Sequence, residues 1–349
     1  MKALVLENYK NLVYKDVPDP GPVGERDLLV RVRATAICGS DVHGYDGSTG
    51  RRIPPVIMGH ESAGEVAAVG PGVRNFSPGD RITFDSTVYC GECTFCREGA
   101  VNLCENRQVL GVSCDEYRRD GAFAEYLVIP ERIAYRIPEG LSYPEAAVTE
   151  PMAVAAHAIR LTPLSFNDTT AVVGAGLIGL SLIQLLKASG SGTIIALDTD
   201  PDRLKVAQSF GADITLDPRE ESTVQKITAA TDRGGAHRSG VDRVFEAVGA
   251  TEPIATAIQI ARKGGSVTLI GNVSPTVEIP LQSVVTRQIS LIGSCAIAGE
   301  YPLVLDLMAR KKVDVRPLIS ATAPLSEGAE WFKRLYAREA GLLKVVLEP

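Results

Sequence analysis

Ala171-Val172-Val173-Gly174-Ala175-Gly176-Leu177-Ile178-Gly179 is the stretch that decides the fold. An apolar β-type run meets a G-x-G-x-x-G and passes directly into an apolar helical stretch. The glycine pattern alone is weak evidence, but between a strand and a helix it is a dinucleotide fingerprint. Gly174 permits the tight turn, Gly176 lets the backbone approach a pyrophosphate, and Gly179 allows strand and helix to pack closely. Leu177 and Ile178 open the helix, whose free N–H groups and positive dipole end favour phosphate. The next apolar run ends at Asp198, 19 residues past Gly179. A carboxylate there can hold both ribose hydroxyls and repels a 2′-phosphate, so NAD is expected over NADP. Arg203, close by, could sit against the adenine or meet a phosphate. The competing reading is a glycine-rich corner without a ligand; strand, fingerprint, helix and acid in register argue against it.

Outward from this motif, strand and helix signals alternate. Strands are expected at Thr170–Val173, Thr193–Asp198, Ile214–Leu216, Arg243–Ala247, Ser266–Ile270 and Ile289–Ile292, with helices such as Leu177–Ala188 and Pro201–Phe210 between them. That alternation implies parallel βαβ units and a doubly wound parallel sheet. Residues 145–161 lack glycine and are rich in alanine, which predicts a helix with a break at Pro151. The chain up to about Arg136 has a different texture. Short runs at Met1–Leu6, Leu28–Ala34, Ala63–Val69, Arg81–Phe84 and Phe123–Ile129 alternate with glycine and proline turns, the pattern of a compact β-barrel. After Gly293 the texture is mixed, ending in an expected strand at Lys344–Leu347. The fold class is thus α/β plus β-barrel, divided into 1–150, 151–292 and a C-terminal segment 293–349.

Composition narrows the function. A chain of 349 residues exceeds one typical core, so two domains are expected. A net charge of −6 argues against nucleic acid and anionic membrane as partners. The longest apolar stretch, Ala171 to Leu186, falls short of the roughly 20 residues of a bilayer span and is interrupted by glycines. The opening MKALVLENYK reaches Glu7 without an apolar core, so no secretory signal is expected. Seven cysteines then imply a reducing compartment, the cytoplasm, with thiols serving metal or packing.

Cys90, Cys93, Cys96 and Cys104 read C-x2-C-x2-C-x7-C, a spacing that lets four thiolates converge on one tetrahedral zinc ion. An iron–sulfur cluster is the alternative, but the x3-C-P continuation and a second cluster motif are absent. Disulfides between such close neighbours would be strained. A second group is looser. Cys38 lies in Ile37-Cys38-Gly39-Ser40-Asp41-Val42-His43 and His60 in Gly59-His60-Glu61. A lone cysteine or histidine is usually a packed side chain, yet with Glu61 and Glu150 an open zinc site with sulfur, nitrogen and oxygen donors makes chemical sense.

These segments, with Gly121-Ala122-Phe123-Ala124-Glu125-Tyr126 and Glu150-Pro151, resemble the zinc-dependent medium-chain dehydrogenase/reductase family, its polyol (sorbitol/xylitol-like) dehydrogenase branch above all. The resemblance spans essentially the whole chain. It implies a GroES-like catalytic domain, to which the C-terminal segment returns, and a Rossmann NAD-binding domain. By position, Cys38 and His60 would ligate a catalytic zinc. Glu61 would be available to it, and Glu150 would bind it directly or through water. Ser40 and His43 would relay the released proton through the cofactor ribose, and Val248, Gly271 and Cys295 would border the cofactor. The reaction implied is hydride transfer between a secondary alcohol or sugar alcohol and NAD, giving the ketone or ketose.

The chain departs from sorbitol-type enzymes in two places. Ala296 and Ile297 stand where those carry an Arg-Tyr pair, and Gly44 replaces a tyrosine, though Tyr45 is adjacent. Alternatives are therefore a threonine, butanediol or simple alcohol dehydrogenase, or a non-enzymatic dinucleotide-binding structural or sensor protein. His157, His237 and Cys114 carry no motif and read as structural or solvated. The expected partner is a small-molecule substrate, and the family implies a homo-oligomer, a tetramer or dimer.

Overall fold

The computed structural model describes residues 1–114, 117–232 and 239–349, so His237 lies outside the described residues. Contacts divide the chain into two units, Met1–Ala153 with Ile297–Pro349, and Val154–Ala296.

The second unit is built on a six-stranded sheet whose pairs are all parallel. Its order is Ile214–Leu216, Ile194–Leu197, Thr170–Val173, Val241–Glu246, Ala261–Leu269, Ser290–Gly293. Thr170–Val173 is central, and its four residues are all buried, which is why it reads as an unbroken apolar run. Strand order reverses between it and Val241–Glu246, the switch point at whose carboxyl ends open sheets bind ligands. Helix Leu177–Ala188 runs as expected from the sequence, with Gly176 at its N-cap and no side chain capping it. Its first N–H groups are therefore left for other partners. The strand expected from Ser266 starts earlier, at Ala261. A register shift between Val241 and Arg243 absorbs the Gly264-Gly265 pair and lets Ala261 join the ladder.

The first unit contains a seven-stranded, mostly antiparallel sheet. Its path runs Ala134–Arg136, Arg81–Phe84, Glu61–Val69, Asp27–Ala36, Lys344–Glu348, Ile319–Pro324, with Tyr126–Pro130 also paired to Asp27–Ala36. The C-terminal strand joins through Val346↔Ala36 and Leu347↔Thr35, so both ends of the chain share one sheet. A three-stranded sheet, Asn11–Asp16, Lys2–Asn8 and Val56–Ile57, lies on the core formed by Leu4, Leu6, Met58, Phe123, Phe332 and Leu347.

Two local expectations shift. The strand expected from Phe123 begins at Tyr126, because Phe123 is buried against Phe332 (ring centroids 5.7 Å apart) and beneath Gly59. Gly59 has φ +96°, and a Cβ there would lie 2.7 Å from the Phe123 ring. The helix break falls at Val148, between Tyr143–Ala147 and Thr149–Leu161, and not at Pro151. Pro151 sits in the first turn of the second helix, where a missing N–H costs nothing. No helix among the described residues is long and apolar enough to cross a membrane.

The fingerprint corner sets a test. A Cβ on Gly179 would sit 1.8 Å from the carbonyl oxygen of Gly174, a backbone atom that cannot step aside. Gly179→Ala is expected to cost about 2–4 kcal/mol of stability, read as a lowered thermal or urea midpoint; an unchanged midpoint would show that the corner is not close-packed.

Candidate metal centres and cofactor cradle

The four-cysteine lobe comes together. The Sγ atoms of Cys90, Cys93, Cys96 and Cys104 all lie within 4.8 Å of one another, Cys90 and Cys96 at 3.9 Å, and none is in a disulfide. The backbone N–H groups of Glu92 and Cys93 donate to Cys90 Sγ and hold that thiol down to about 6, while burial pushes Cys96 up to about 12. Cys90 N–H in turn donates to Cys104 Sγ at 3.2 Å. Backbone donors aimed at a sulfur cluster stabilise thiolate, the form that binds metal. Four convergent sulfurs fit a closed tetrahedral zinc site.

The second centre assembles Cys38, His60 and Glu61, whose ligand atoms also lie within 4.8 Å of one another. Cys38 is the N-cap of the short helix Gly39–Gly44, and its sulfur accepts from Ser40 N–H at 3.4 Å. His60 immediately precedes strand Glu61–Val69, which Glu61 opens, so the two are fixed by one β-ladder. Ser40 Oγ lies 3.3 Å from Cys38 Sγ and 3.4 Å from His60 Nε2. Asp41, fully buried, brings Oδ1 to 3.4 Å from His60 Nδ1, an outer carboxylate against the imidazole. Burial alone would lower the His60 pKa, but Asp41 and Cys38 outweigh it and push it well above its usual range. The surroundings thus call for positive charge, and a thiol, imidazole and carboxylate so arranged fit an open zinc site.

Glu150 stands apart from that trio. It is buried, and its Oε1 accepts from Ser86 Oγ at 3.4 Å. Burial raises it to about 7, with His60 opposing and Glu61 adding to the shift. Its neighbour Asp85 is pushed by burial to about 8. The structure therefore gathers Glu61, not Glu150, with Cys38 and His60. Glu61 is itself held by Lys344, whose Nζ donates to Oε1 at 2.8 Å, lies 2.6 Å from Oε2, and donates to the carbonyl of Ile37 at 2.9 Å. His43 is exposed at the end of the Cys38 helix, and among the described residues no hydrogen bond joins its ring to Ser40. His157 is buried.

In the other unit, Gly174 has φ +95°, and its Cβ would strike Val248 at 2.5 Å. Asp198 Oδ2 accepts from Ala175 N–H at 2.7 Å and Oδ1 from Asp200 N–H at 2.9 Å, so the acid is clamped to the fingerprint turn. Arg203 Nη1 is 4.0 Å from the same carboxylate and 3.9 Å from where a Gly176 Cβ would be. Gly271 packs its Cα side against the Val248–Gly249 backbone, where a Cβ would meet Gly249 N at 2.1 Å. Cys295 is exposed.

Asp41, Arg52, Ser86 and Lys344 are the site residues that sequence reasoning missed. Asp41 had a signal, three residues from Cys38 in the same motif; a lysine opening an apolar C-terminal strand offers none. Lys344 is 1% exposed, and its loss would leave Glu61 a buried, uncompensated carboxylate. Lys344→Met is expected to destabilise by about 3–5 kcal/mol in urea denaturation; a change under about 1 kcal/mol would mean the pair is dispensable.

Comparison with known proteins identifies the family. Residues 24–139 match the alcohol dehydrogenase GroES-like domain, and residues 178–310 match the zinc-binding dehydrogenase family. The chain is 35% identical to sorbitol dehydrogenase of Bacillus subtilis (strain 168), covering 100% of this chain and 97% of that protein. It is 32% identical to D-arabitol-phosphate dehydrogenase of Enterococcus avium over 97% of this chain and 94% of that one. Among solved structures, a zinc-binding dehydrogenase from Sinorhizobium meliloti 1021 bound to NADP superimposes with a TM-score of 0.89 at 34% identity, covering 100% and 99% of the two chains. With a GroES-like barrel, a Rossmann sheet and two convergent donor clusters, the chain belongs to the zinc-dependent medium-chain alcohol dehydrogenase family.

Proposed function

We propose that this protein is an NAD-dependent dehydrogenase that oxidises a secondary alcohol or polyol to the ketone or ketose, with one catalytic and one structural zinc. The observation that carries the proposal is the convergence of Cys38, His60 and Glu61 within 4.8 Å, with the Ser40 hydroxyl against the first two. Zinc held there supplies a Lewis acid that stabilises negative charge on a reacting oxygen. The chain's own residues do the rest. Asp41 Oδ1 faces His60 Nδ1 across 3.4 Å, and the ring's other nitrogen would be the one to hold the ion. Ser40 Oγ would take the alcohol's proton and pass it, by way of the cofactor ribose, toward exposed His43, and a bound nicotinamide would supply the hydride acceptor. Glu150, held by Ser86 and raised to about 7, is a second proton carrier beside the centre.

Gly174, Gly176, Leu177, Ile178 and Gly179 cradle the pyrophosphate, Asp198 takes the ribose, and Val248, Gly271 and Cys295 border the cofactor. The clamped, anionic Asp198 supports NAD over NADP, with Arg203 beside it. Names of relatives support a polyol-type substrate. A simple secondary alcohol or diol is the second reading, favoured by Ala296 and Ile297, the latter fully buried and unable to offer any polar contact. Free cysteines support a reducing, cytoplasmic setting, and family membership supports a homodimer or homotetramer.

Metal analysis of the purified protein is expected to give two zinc ions per chain, one slowly exchanging and one removed by chelator together with turnover. Cys38→Ser should abolish NADH formation on a panel of polyols and secondary alcohols while NAD binding persists; surviving turnover would refute zinc catalysis at this site. For the cofactor, kcat/KM with NAD should exceed that with NADP by at least about 10-fold, and equal efficiencies would overturn the role of Asp198.

A further inference from the structure

Arg52 enters none of these steps, yet it is 3% exposed and lies against the Cys38–His60 centre. We propose that Arg52 is a positioning residue that offsets the charge of Asp41 and holds the Ser40 hydroxyl in place beside the centre; this rests on Cys38, His60 and Glu61 being the zinc site.

A guanidinium has five donors and no acceptor. Arg52 Nη2 donates to Asp41 Oδ1 at 2.8 Å, Nε to the same oxygen at 3.3 Å, and Nη2 also to Ser40 Oγ at 3.3 Å. One lone pair of the Ser40 hydroxyl is therefore filled by a group that can only donate. The second lone pair stays open to the alcohol's proton, and the hydroxyl's own proton remains available to be passed on, with Oγ kept 3.3 Å from Cys38 Sγ and 3.4 Å from His60 Nε2.

The same guanidinium sets the local charge. The Asp41 oxygen that faces His60 Nδ1 is the one Arg52 holds. A carboxylate free of Arg52 would make the imidazole a stronger donor to a metal, binding it more tightly and leaving it a weaker Lewis acid. Arg52 offsets that effect by sharing the oxygen.

Gly44 is an independent sign that this placement is built in. A Cβ at Gly44 would lie 2.3 Å from Arg52 Cγ and 3.1 Å from its Cβ. The absent side chain at 44 and the buried arginine at 52 are one solution: any larger residue at 44 would push the arginine stem out of line. The same packing accounts for glycine at position 44, where sorbitol-type enzymes carry a tyrosine.

The test uses zinc-loaded, full-length protein, with release of the labile zinc followed by a colorimetric chelator and turnover followed as NADH. Arg52→Met keeps the stem and removes the guanidinium. Its zinc should leave no faster than from the parent protein while kcat falls about 10–100-fold and KM for NAD stays within about 2-fold. Faster zinc release accompanying the loss would show that Arg52 is scaffold alone, and unchanged kcat would equally overturn the proposal. Should Arg52→Met not fold, Gly44→Ala displaces the stem instead: lower kcat with zinc retained supports the proposal, and parental kcat overturns it. A parent protein with no labile zinc and no turnover would refute the zinc-site reading itself, a result separable from any effect of the variants.

Discussion

One buried ammonium holds the candidate metal centre together. Lys344 Nζ reaches both oxygens of Glu61 and the carbonyl of Ile37, the residue before Cys38. It comes from the C-terminal strand, paired to Asp27–Ala36, which leads into Cys38. Stripping water from two such charges costs several kcal/mol per ion unless each finds its partner in good geometry. The pair therefore tolerates only a sheet in which strands from the two ends of the chain lie side by side, and closing that sheet and assembling the centre are one event.

A charge pattern follows from that constraint. With its thiol ionised, Cys38 joins Asp41 and Glu61 as three anions, faced by the two cations Arg52 and Lys344. Without metal the third positive charge is a protonated His60, whose pKa, against burial, Asp41 and Cys38 push well above its usual range. Glu150 and Asp85, which burial drives toward neutrality, keep the surrounding shell from adding further charge. The four-cysteine lobe is supported differently, by backbone N–H donors to its sulfurs rather than by counter-ions.

Much of this was legible along the chain because it is local. The fingerprint corner, the helix Leu177–Ala188 and the cysteine spacing each encode their structure within about twenty residues, where covalent geometry limits the alternatives. The errors arose where a long-range neighbour overrode a local preference. Phe123 left its strand to pack on Phe332, more than two hundred residues away, and the break expected at Pro151 moved to Val148 because a helix's first turn has no use for the N–H that proline lacks.

By itself, then, the sequence determined a parallel sheet with a phosphate-binding corner, a barrel-like remainder and two sets of metal-type donors. Tertiary structure alone decided which carboxylate joins Cys38 and His60. Sequence left both Glu61 and Glu150 as candidates, and the sheet that brings Lys344 onto Glu61 and leaves Glu150 with Ser86 separates them. The physical reason is that a carboxylate's role depends on its distance to other charges in three dimensions, and those charges come from strands that the chain order keeps far apart.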